Sequence, residues 1–394
     1  MKVAIVINES LPLPSIKGGA IETGIQQIID QNEIYKLLNL TVYSKYDQEA
    51  FLISKNFQNT RFKYSETTKK TKQEFILFVN KILRKIKASK SILFEYEQII
   101  INDIKNENYD RILLQNCPNF VLPLHSKLKQ KIIFLQLHND YLNDKTFNGS
   151  NIFKQCEKII TVSEFIKKRV LTIPNSSAEK ITVHKNCTDP FLFNKSLSKE
   201  SKEKIRKKLQ IRSDQFVILF TGRIIKGKGI DKLIEAVKLL NIDYKLLVIG
   251  NKGFGYEEDN PYLSYLKEIS VEIKNKVVFA GFIPYHDLPS MYAIADVAVV
   301  PSILEEAAGR VVIEAQLSGL PLIVSDSGGI KEYITPNSAI VVKRDSDFVT
   351  NLAKAIMKIA KDNELQMKMK EEGLNFAIKF TPKRYYHEVL DYLK

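Results

Sequence analysis

Long apolar runs, metal-type cysteine spacing and phosphate-loop signatures are all missing from this 394-residue chain. No stretch approaches the roughly 18 apolar residues of a membrane-spanning helix. The opening MKVAIVINES holds an unbroken run of only five apolar residues before Asn8-Glu9 and reads as a first strand rather than a signal peptide. Three cysteines, Cys117, Cys156 and Cys187, cannot all pair and have no zinc-ligand spacing, which fits a reducing cytoplasm. The pattern G-x-x-x-x-G-K-[ST] is absent, and no G-x-G-x-x-G follows a first strand, so kinase, ATPase and dehydrogenase readings lose ground. Acidic residues are in deficit: 45 Asp+Glu stand against 59 Lys+Arg, a net charge of +14. That balance favours phosphate-bearing partners, whether nucleotide, nucleic acid or anionic lipid. With no interleaved aromatic platform or nucleic-acid motif, a nucleic-acid partner is not expected.

What is present is one architecture used twice. The length allows two or three domains. Residues 2–7 are a purely apolar strand that leads through NESLPLPSIKGGA into a helix from about Ile21, and FVILFT (216–221) leads through GRIIKGKG into a helix from about Ile230 to Leu240. Strand, glycine-bearing loop, helix opens a doubly wound α/β domain. Further strands are read at 111–115, 131–137 and 158–162 in the first half, and at 245–250, 276–281, 297–300 and 320–326 in the second. The Lys-rich stretch Asn194 to Lys208 looks like the linker, giving domains 1–193 and 194–379.

From Ile25 to Cys117 there is neither Gly nor Pro. Within 61–90, ten Lys/Arg face only Glu66 and Glu74, a net charge of +8. Phe75, Ile76, Phe78, Val79, Ile82, Leu83 and Ile86 recur at helical spacing with Lys72, Lys81, Arg84, Lys85 and Lys87 mostly between them, the pattern of a basic amphipathic helix. It is either an ordinary domain helix with a solvated face or an element resting on anionic lipid.

The stretch EEAAGRVVIEA (305–315) follows the short strand VAVV and precedes a Ser318-Gly319 stop signal. Glu306 falls in a loop beside a helix N-terminus, which attracts anions, and Glu314 falls one turn inside a helix too apolar for the surface. Taken alone, Glu306 caps the helix and Glu314 pairs with a lysine. In GRIIKGKG, Arg223 and Lys228 are two cations on a loop that Gly222, Gly227 and Gly229 let approach a ligand, able to neutralise a diphosphate leaving group without a metal.

Together these segments resemble glycosyltransferase family 4, the retaining group with the GT-B fold. TGRIIKGKGIDKLIEA, LLVIGNKG, VVFAGFIPYHDLPSMYAIADVAVVPS, the E-x7-E segment and GLPLIVSDSGGIKEYI follow the family's nucleotide-binding half in order, and KGGAIE, EKIITVSEFIKK and VHKNCTDPFLF are similar to its acceptor half. The resemblance implies two Rossmann-like domains with a cleft between them and a C-terminal helix, about 380–394, returning to the first. It also implies transfer of a hexose-type sugar from a nucleotide-sugar, a UDP-sugar, to a glycan or lipid-linked acceptor in bacterial surface polysaccharide synthesis, in the cytoplasm or on the inner membrane face. Glu314 would accept the ribose hydroxyls, and Glu306 would face the donor sugar. Arg223 and Lys228 would hold the diphosphate. Ala308 and Gly309 would meet diphosphate or sugar, Gly19 the β-phosphate, and Phe282 and Ile283 the base.

His138, at a strand end where doubly wound sheets bind ligands, is a structural hydrogen-bonder on the residues alone; the resemblance gives it a contact with the reacting groups. No cofactor or metal is implied, and Asp345-Ser346-Asp347 reads as a helix cap. The mechanism implied is front-face retention, with the leaving phosphate taking the acceptor's proton. Two departures stand out: Ala307-Ala308 replaces a bulky pair, and Arg310 replaces an apolar residue. A sugar-nucleotide epimerase and a noncatalytic nucleotide-sugar-binding homologue share the fold; the first would convert a nucleotide-sugar with no acceptor.

Overall fold

The computed structural model describes residues 1–85, 93–128, 132–194, 197–253 and 260–394. The chain divides into two compact units, Met1–Lys185 with Pro382–Lys394, and Asn186–Thr381.

The first unit is built on seven parallel strands: β1 (Lys2–Ile7), β2 (Asn39–Lys45), β3 (Thr60–Ser65), β4 (Arg111–Gln115), β5 (Ile133–Leu137), β6 (Lys158–Thr161) and β7 (Ile181–Val183). Their order is β3-β2-β1-β4-β5-β6-β7. The chain winds outward from β1 in one direction, then restarts at β4 and winds in the other. That reversal opens a crevice at the carboxyl ends of β1 and β4. The inner strands are apolar and buried on both faces, as parallel sheets require.

The C-terminal helix Pro382–Leu393 belongs to this unit. Tyr386 Oη donates to Asn32 Oδ1 at 2.7 Å, and Arg111 Nε donates to the Leu393 carbonyl at 2.7 Å. Tyr385 stacks on His184 with ring centroids 3.9 Å apart, and burial drives that imidazole down to about 3, so it is neutral.

The second unit has six parallel strands: β8 (Phe216–Thr221), β9 (Tyr244–Ile249), β10 (Val277–Gly281), β11 (Val297–Val300), β12 (Leu322–Ser325) and β13 (Ala339–Val342), in the order β10-β9-β8-β11-β12-β13. Alternate residues of β8 serve opposite cores: Ile218 and Phe220 pack with the helices Ile230–Lys238 and Phe348–Lys361, while Val217 and Leu219 pack with the helix Arg310–Leu317. Here the winding reverses between β8 and β11.

Three sequence expectations need correction. The boundary lies at Lys185/Asn186 instead of 193/194, because Phe193 is buried in the core of the second unit. The supposed linker contains a helix, Lys199–Lys208, capped by Ser198 and pinned by Arg206 to Asp296 and to the Ile294 carbonyl. Segment 61–90 is not one helix. Arg61 and Lys63 lie on β3, where Glu107 pairs with both and Asp103 with Lys63, so their charge is spent inside the unit. The helix itself runs Lys70–Lys85. Ile86, Lys87 and Lys90 lie outside the described residues. Its apolar side is also turned outward: Ile76 is buried, whereas Phe75, Phe78 and Ile82 are exposed.

Candidate functional site

The site assembles where β8 and β11 end. The loop after β8 (222–229) and the loop after β11 (301–309) are joined backbone to backbone, since the Gly227 carbonyl accepts from Ile303 N at 2.9 Å and Leu304 N at 3.0 Å. Glycine permits this contact. Gly229 has φ of +68°, and a Cβ there would sit 2.1 Å from the Pro301 carbonyl oxygen.

Across this junction Lys228 Nζ donates to Glu306 Oε1 at 2.5 Å, and Ser302 Oγ donates to the same oxygen at 2.5 Å. Glu306 is held by its backbone as well, donating from N to Ser327 Oγ at 3.0 Å and accepting from Gly329 N at 2.7 Å. It therefore does not cap the following helix, which begins at Arg310 with Gly309 at its N-cap and no side-chain cap. With no side-chain cap, that helix start keeps the anion preference of a helix N-terminus. Arg223 is exposed on the neighbouring loop and has no ion-pair partner among the described residues. One cation and one carboxylate thus meet at the switch point, with Arg223 exposed on the same loop as Lys228 and with Ala308 and Gly309 on the same loop as Glu306. Glu305, by contrast, is structural: Arg344 binds its carboxylate and anchors the loop through the Ile303 carbonyl.

Glu314 sits beneath, only 4% exposed. Tyr292 Oη donates to its Oε2 at 3.0 Å and also meets Thr221 Oγ1 at 2.7 Å, so the carboxylate is tied to the end of β8. Its charge partner is Arg310, one turn earlier, with Nε 3.7 Å from Oε1, and not a lysine. Arg310 also donates to the Cys187 carbonyl at 3.0 Å and lies over the Tyr285 ring at 5.7 Å. Burial raises the Glu314 carboxyl, Arg310 and Tyr292 opposing it. Phe282 and Ile283, half-buried, follow the carboxyl end of β10, the outermost strand on the β8 side of the sheet. Sequence reasoning flagged Arg310 only as a departure and missed Ser302, Ser327 and Tyr292; Ser302, directly after the strand VAVV and Pro301, carried the one usable signal.

Gly19 and His138 lie in the first unit. Gly19 is the N-cap of the helix Ala20–Tyr35, with φ of +99°. His138 Nε2 is 2.8 Å from Gln115 Oε1; Gln115 in turn donates to Gln136, and Gln136 to Tyr385 Oη at 3.0 Å. Its ring thus ends a buried amide chain reaching the C-terminal helix, which is the structural reading of this histidine. Asp345 Oδ1 accepts from Asp347 N at 3.1 Å, so the acidic pair before Phe348–Lys361 shapes a turn, and the helix has no side-chain cap.

Two carboxyls of the first unit carry displaced titrations. Glu22, beneath Gly19, and Glu97 are each pushed up to about 7, chiefly by burial, with Glu9 adding to the rise at Glu97. In the unfolded chain they titrate near 4.5, so between about pH 4.5 and about pH 7 the folded state holds the extra protons and stability falls as pH rises. Glu22→Gln is expected to be more stable than wild type by roughly 3 kcal/mol at most near pH 8, and equal to it near pH 4. Urea midpoints at the two pH values measure this; a pH-independent difference would contradict it.

A family model described as glycosyl transferases group 1 matches residues 201–376. Over 385 residues the chain is 31% identical to the putative glycosyltransferase YtcC of Bacillus subtilis, covering 94% of this chain and 86% of that one. It is 27% identical over 250 residues to the lipopolysaccharide 1,2-N-acetylglucosaminetransferase of Salmonella typhimurium, 61% of each chain. In backbone it is similar to Anabaena Alr3699/HepE, solved in complex with UDP and glucose, with a TM-score of 0.77 at 17% identity over 99% of both chains. The first likeness runs well beyond the stretch that the family model covers, through both parallel-sheet units: the chain belongs to the group 1 glycosyl transferases and has the GT-B fold.

Proposed function

We propose that the protein is a retaining hexosyltransferase that moves a sugar from a UDP-sugar to a glycan or lipid-linked acceptor of bacterial surface polysaccharide, working in the cytoplasm at the inner membrane face. The observation that carries this reading is the Lys228–Glu306 contact across the switch point of the second unit, with Arg223 exposed beside it. Lys228 and Arg223 would take the diphosphate and stabilise the charge that develops as the glycosidic bond breaks. Lys228 can exchange its bond to Glu306 for phosphate, which leaves Glu306 Oε1 to accept from a sugar hydroxyl. Glu314 would accept the ribose hydroxyls, and backbone at Phe282 and Ile283 would receive the base. Ala308 and Gly309 would meet the diphosphate at the helix start, and Gly19 would approach the β-phosphate. His138 would contact the reacting hydroxyls from its anchored position. With two cations on the leaving group, no metal is required, and transfer should survive a chelator. The acceptor's proton passes to the departing phosphate, on the same face as the new bond.

The UDP and glucose of the Anabaena protein and the lipopolysaccharide named for the Salmonella relative support the donor and acceptor classes. The test is a thermal-shift panel of nucleoside diphosphates and their sugars. A ligand at about 100 times its Kd stabilises by roughly 2.7 kcal/mol, and UDP is expected to lead. Release of UDP with the product keeping the donor's anomeric configuration completes it. Conversion of the nucleotide-sugar with no acceptor would make the protein an epimerase instead, and no shift with any nucleotide would end the reading.

A further inference from the structure

Two apolar strands of the first unit each carry one buried glutamine. Gln115 ends β4, and Gln136 lies directly across from it in β5; they are 1% and 0% exposed. A third buried polar group, His184, follows β7 and is 1% exposed. Amides and imidazoles withstand such burial only when their donors and acceptors are matched. Here the matching has a direction.

That direction starts at the C-terminal helix. His184 Nε2 lies 3.1 Å from the Tyr385 carbonyl oxygen, with Glu388 Oε2 a second acceptor at 3.4 Å. A carbonyl oxygen only accepts, so Nε2 carries the proton. Burial, with the Arg384 charge adding to it, keeps the ring neutral, and its Nδ1 is therefore an acceptor. That nitrogen faces Gln136 Nε2 across a long contact of 3.5 Å, and the same amide nitrogen donates to Tyr385 Oη at 3.0 Å. Gln136 Oε1 is thus turned the other way, where it accepts from Gln115 Nε2 at 3.1 Å and from Tyr392 Oη at 3.4 Å. Gln115 is oriented in turn, with its Oε1 facing His138 Nε2 at 2.8 Å. An amide oxygen also only accepts, so the proton of His138 sits on Nε2. The two tyrosine hydroxyls could serve either orientation of Gln136, since each can donate or accept; of these partners only His184 rests on a backbone carbonyl.

We propose that Gln115, Gln136 and His184 are positioning residues of the transfer reaction: they pass the polarity of the C-terminal helix to His138 and hold its proton on Nε2, so that Nδ1 accepts from a hydroxyl of the reacting sugars. This rests on the contact proposed above between His138 and the reacting hydroxyls, and gives that contact a direction. An accepting nitrogen takes a hydrogen bond from a hydroxyl but repels a phosphate oxygen. Neutral His138 therefore serves the sugar side of the reaction and leaves the diphosphate to Lys228 and Arg223. Every member of the relay belongs to the first unit, the helix Pro382–Leu393 included.

Nitrogen-15 spectra of histidine-labelled protein near pH 8, where imidazoles are neutral, read the tautomer; the His138 signals are those missing from His138→Asn. Wild type is expected to show a protonated Nε2, an accepting Nδ1 and no averaging between tautomers. Gln115→Met, and His184→Phe with its ring still stacked on Tyr385, are each expected to give averaged tautomers. Each should also lower kcat about ten-fold, the worth of one neutral hydrogen bond, with UDP affinity unchanged. In the His138→Asn background neither should lower kcat further, because both act through that ring. Tyr392→Phe disturbs the same core without reversing the relay, and should leave the tautomer as it is. The two links are broken separately, so if one variant fails to fold the other decides. A His138 proton on Nδ1, an averaged ring in wild type, a tautomer that ignores both variants, a Tyr392→Phe shift as large as theirs, or rate losses that add in the His138→Asn background would each overturn the proposal. A protein that transfers no sugar would end the transfer reading instead, while the spectra still judge the relay.

Discussion

Lys228→Ala is expected to lower the transfer rate by about two to three orders of magnitude, the usual loss when one preorganised charge-stabilising donor is removed from a developing anion. The geometry sharpens this. Lys228 Nζ is held at 2.5 Å by Glu306, whose own position is fixed by Ser302 and Ser327, so the cation is aimed before substrate arrives. A residue that acts in the transition state lowers kcat, with a smaller change in nucleotide affinity. Glu306→Gln should also fall mainly in turnover, because it loosens Lys228 and takes the charge and one acceptor oxygen from the group proposed to face the sugar. The double variant should lose less than the sum of the two single losses, since the groups act as a unit. Steady-state kinetics with UDP titration separates these terms. Turnover that survives Lys228→Ala would remove the clamp from the mechanism.

The second large effect concerns the buried pair in the helix Arg310–Leu317. Arg310→Leu, which restores the apolar residue usual in the resembling family, should destabilise the second unit by about 3 to 5 kcal/mol, because it strands a buried carboxylate. Arg310 and Glu314 side chains are only 9% and 5% exposed, so water cannot replace the lost partner. Adding Glu314→Gln should return most of that stability while leaving UDP binding weak, since Gln cannot accept at both oxygens as the carboxylate does. The pH dependence has a definite sign. Burial already raises the Glu314 carboxyl above 4.5, and losing Arg310 raises it further, so the deficit grows as pH rises from about 4.5 toward the raised folded-state value and shrinks as pH falls and the carboxyl takes up a proton. Chemical denaturation near pH 7 and near pH 5 measures it. Equal stability of the single and double variants would show that the pair carries no such strain.

How much of this was legible in the sequence can be followed strand by strand. β1, β4, β8 and β11 were readable because strands buried on both faces are short apolar runs with Gly or Pro beyond their loops. β2, β3, β7 and β13 were not. Between Ile25 and Cys117 the chain turns with no Gly or Pro; Lys36 takes the left-handed conformation, φ 55°, that usually falls to Gly at a helix end. The edge strand β3, TRFKYS, carries two cations whose partners, Asp103 and Glu107, lie more than 35 residues away, so its basic charge looked like part of the helix that follows. The apolar side of that helix was equally ambiguous. Its periodicity gives a stripe but not which neighbour covers it, and here Phe75, Phe78 and Ile82 stay exposed.

The sequence by itself determined the doubly wound class and the two-fold use of strand, loop and helix, and it singled out Arg223, Lys228, Glu306 and Glu314 as candidates, because these depend on local pattern and on the order of segments. Only the tertiary structure decided which groups meet. Lys228 and Glu306 are 78 residues apart and touch because β8 and β11 are neighbours at a topological reversal. Glu314 finds Arg310 one turn back on its own helix, but it meets Tyr292 only because packing brings a second helix against it. Spacing along a chain fixes what can form a helix or strand; which charges face one another depends on how the sheet is wound.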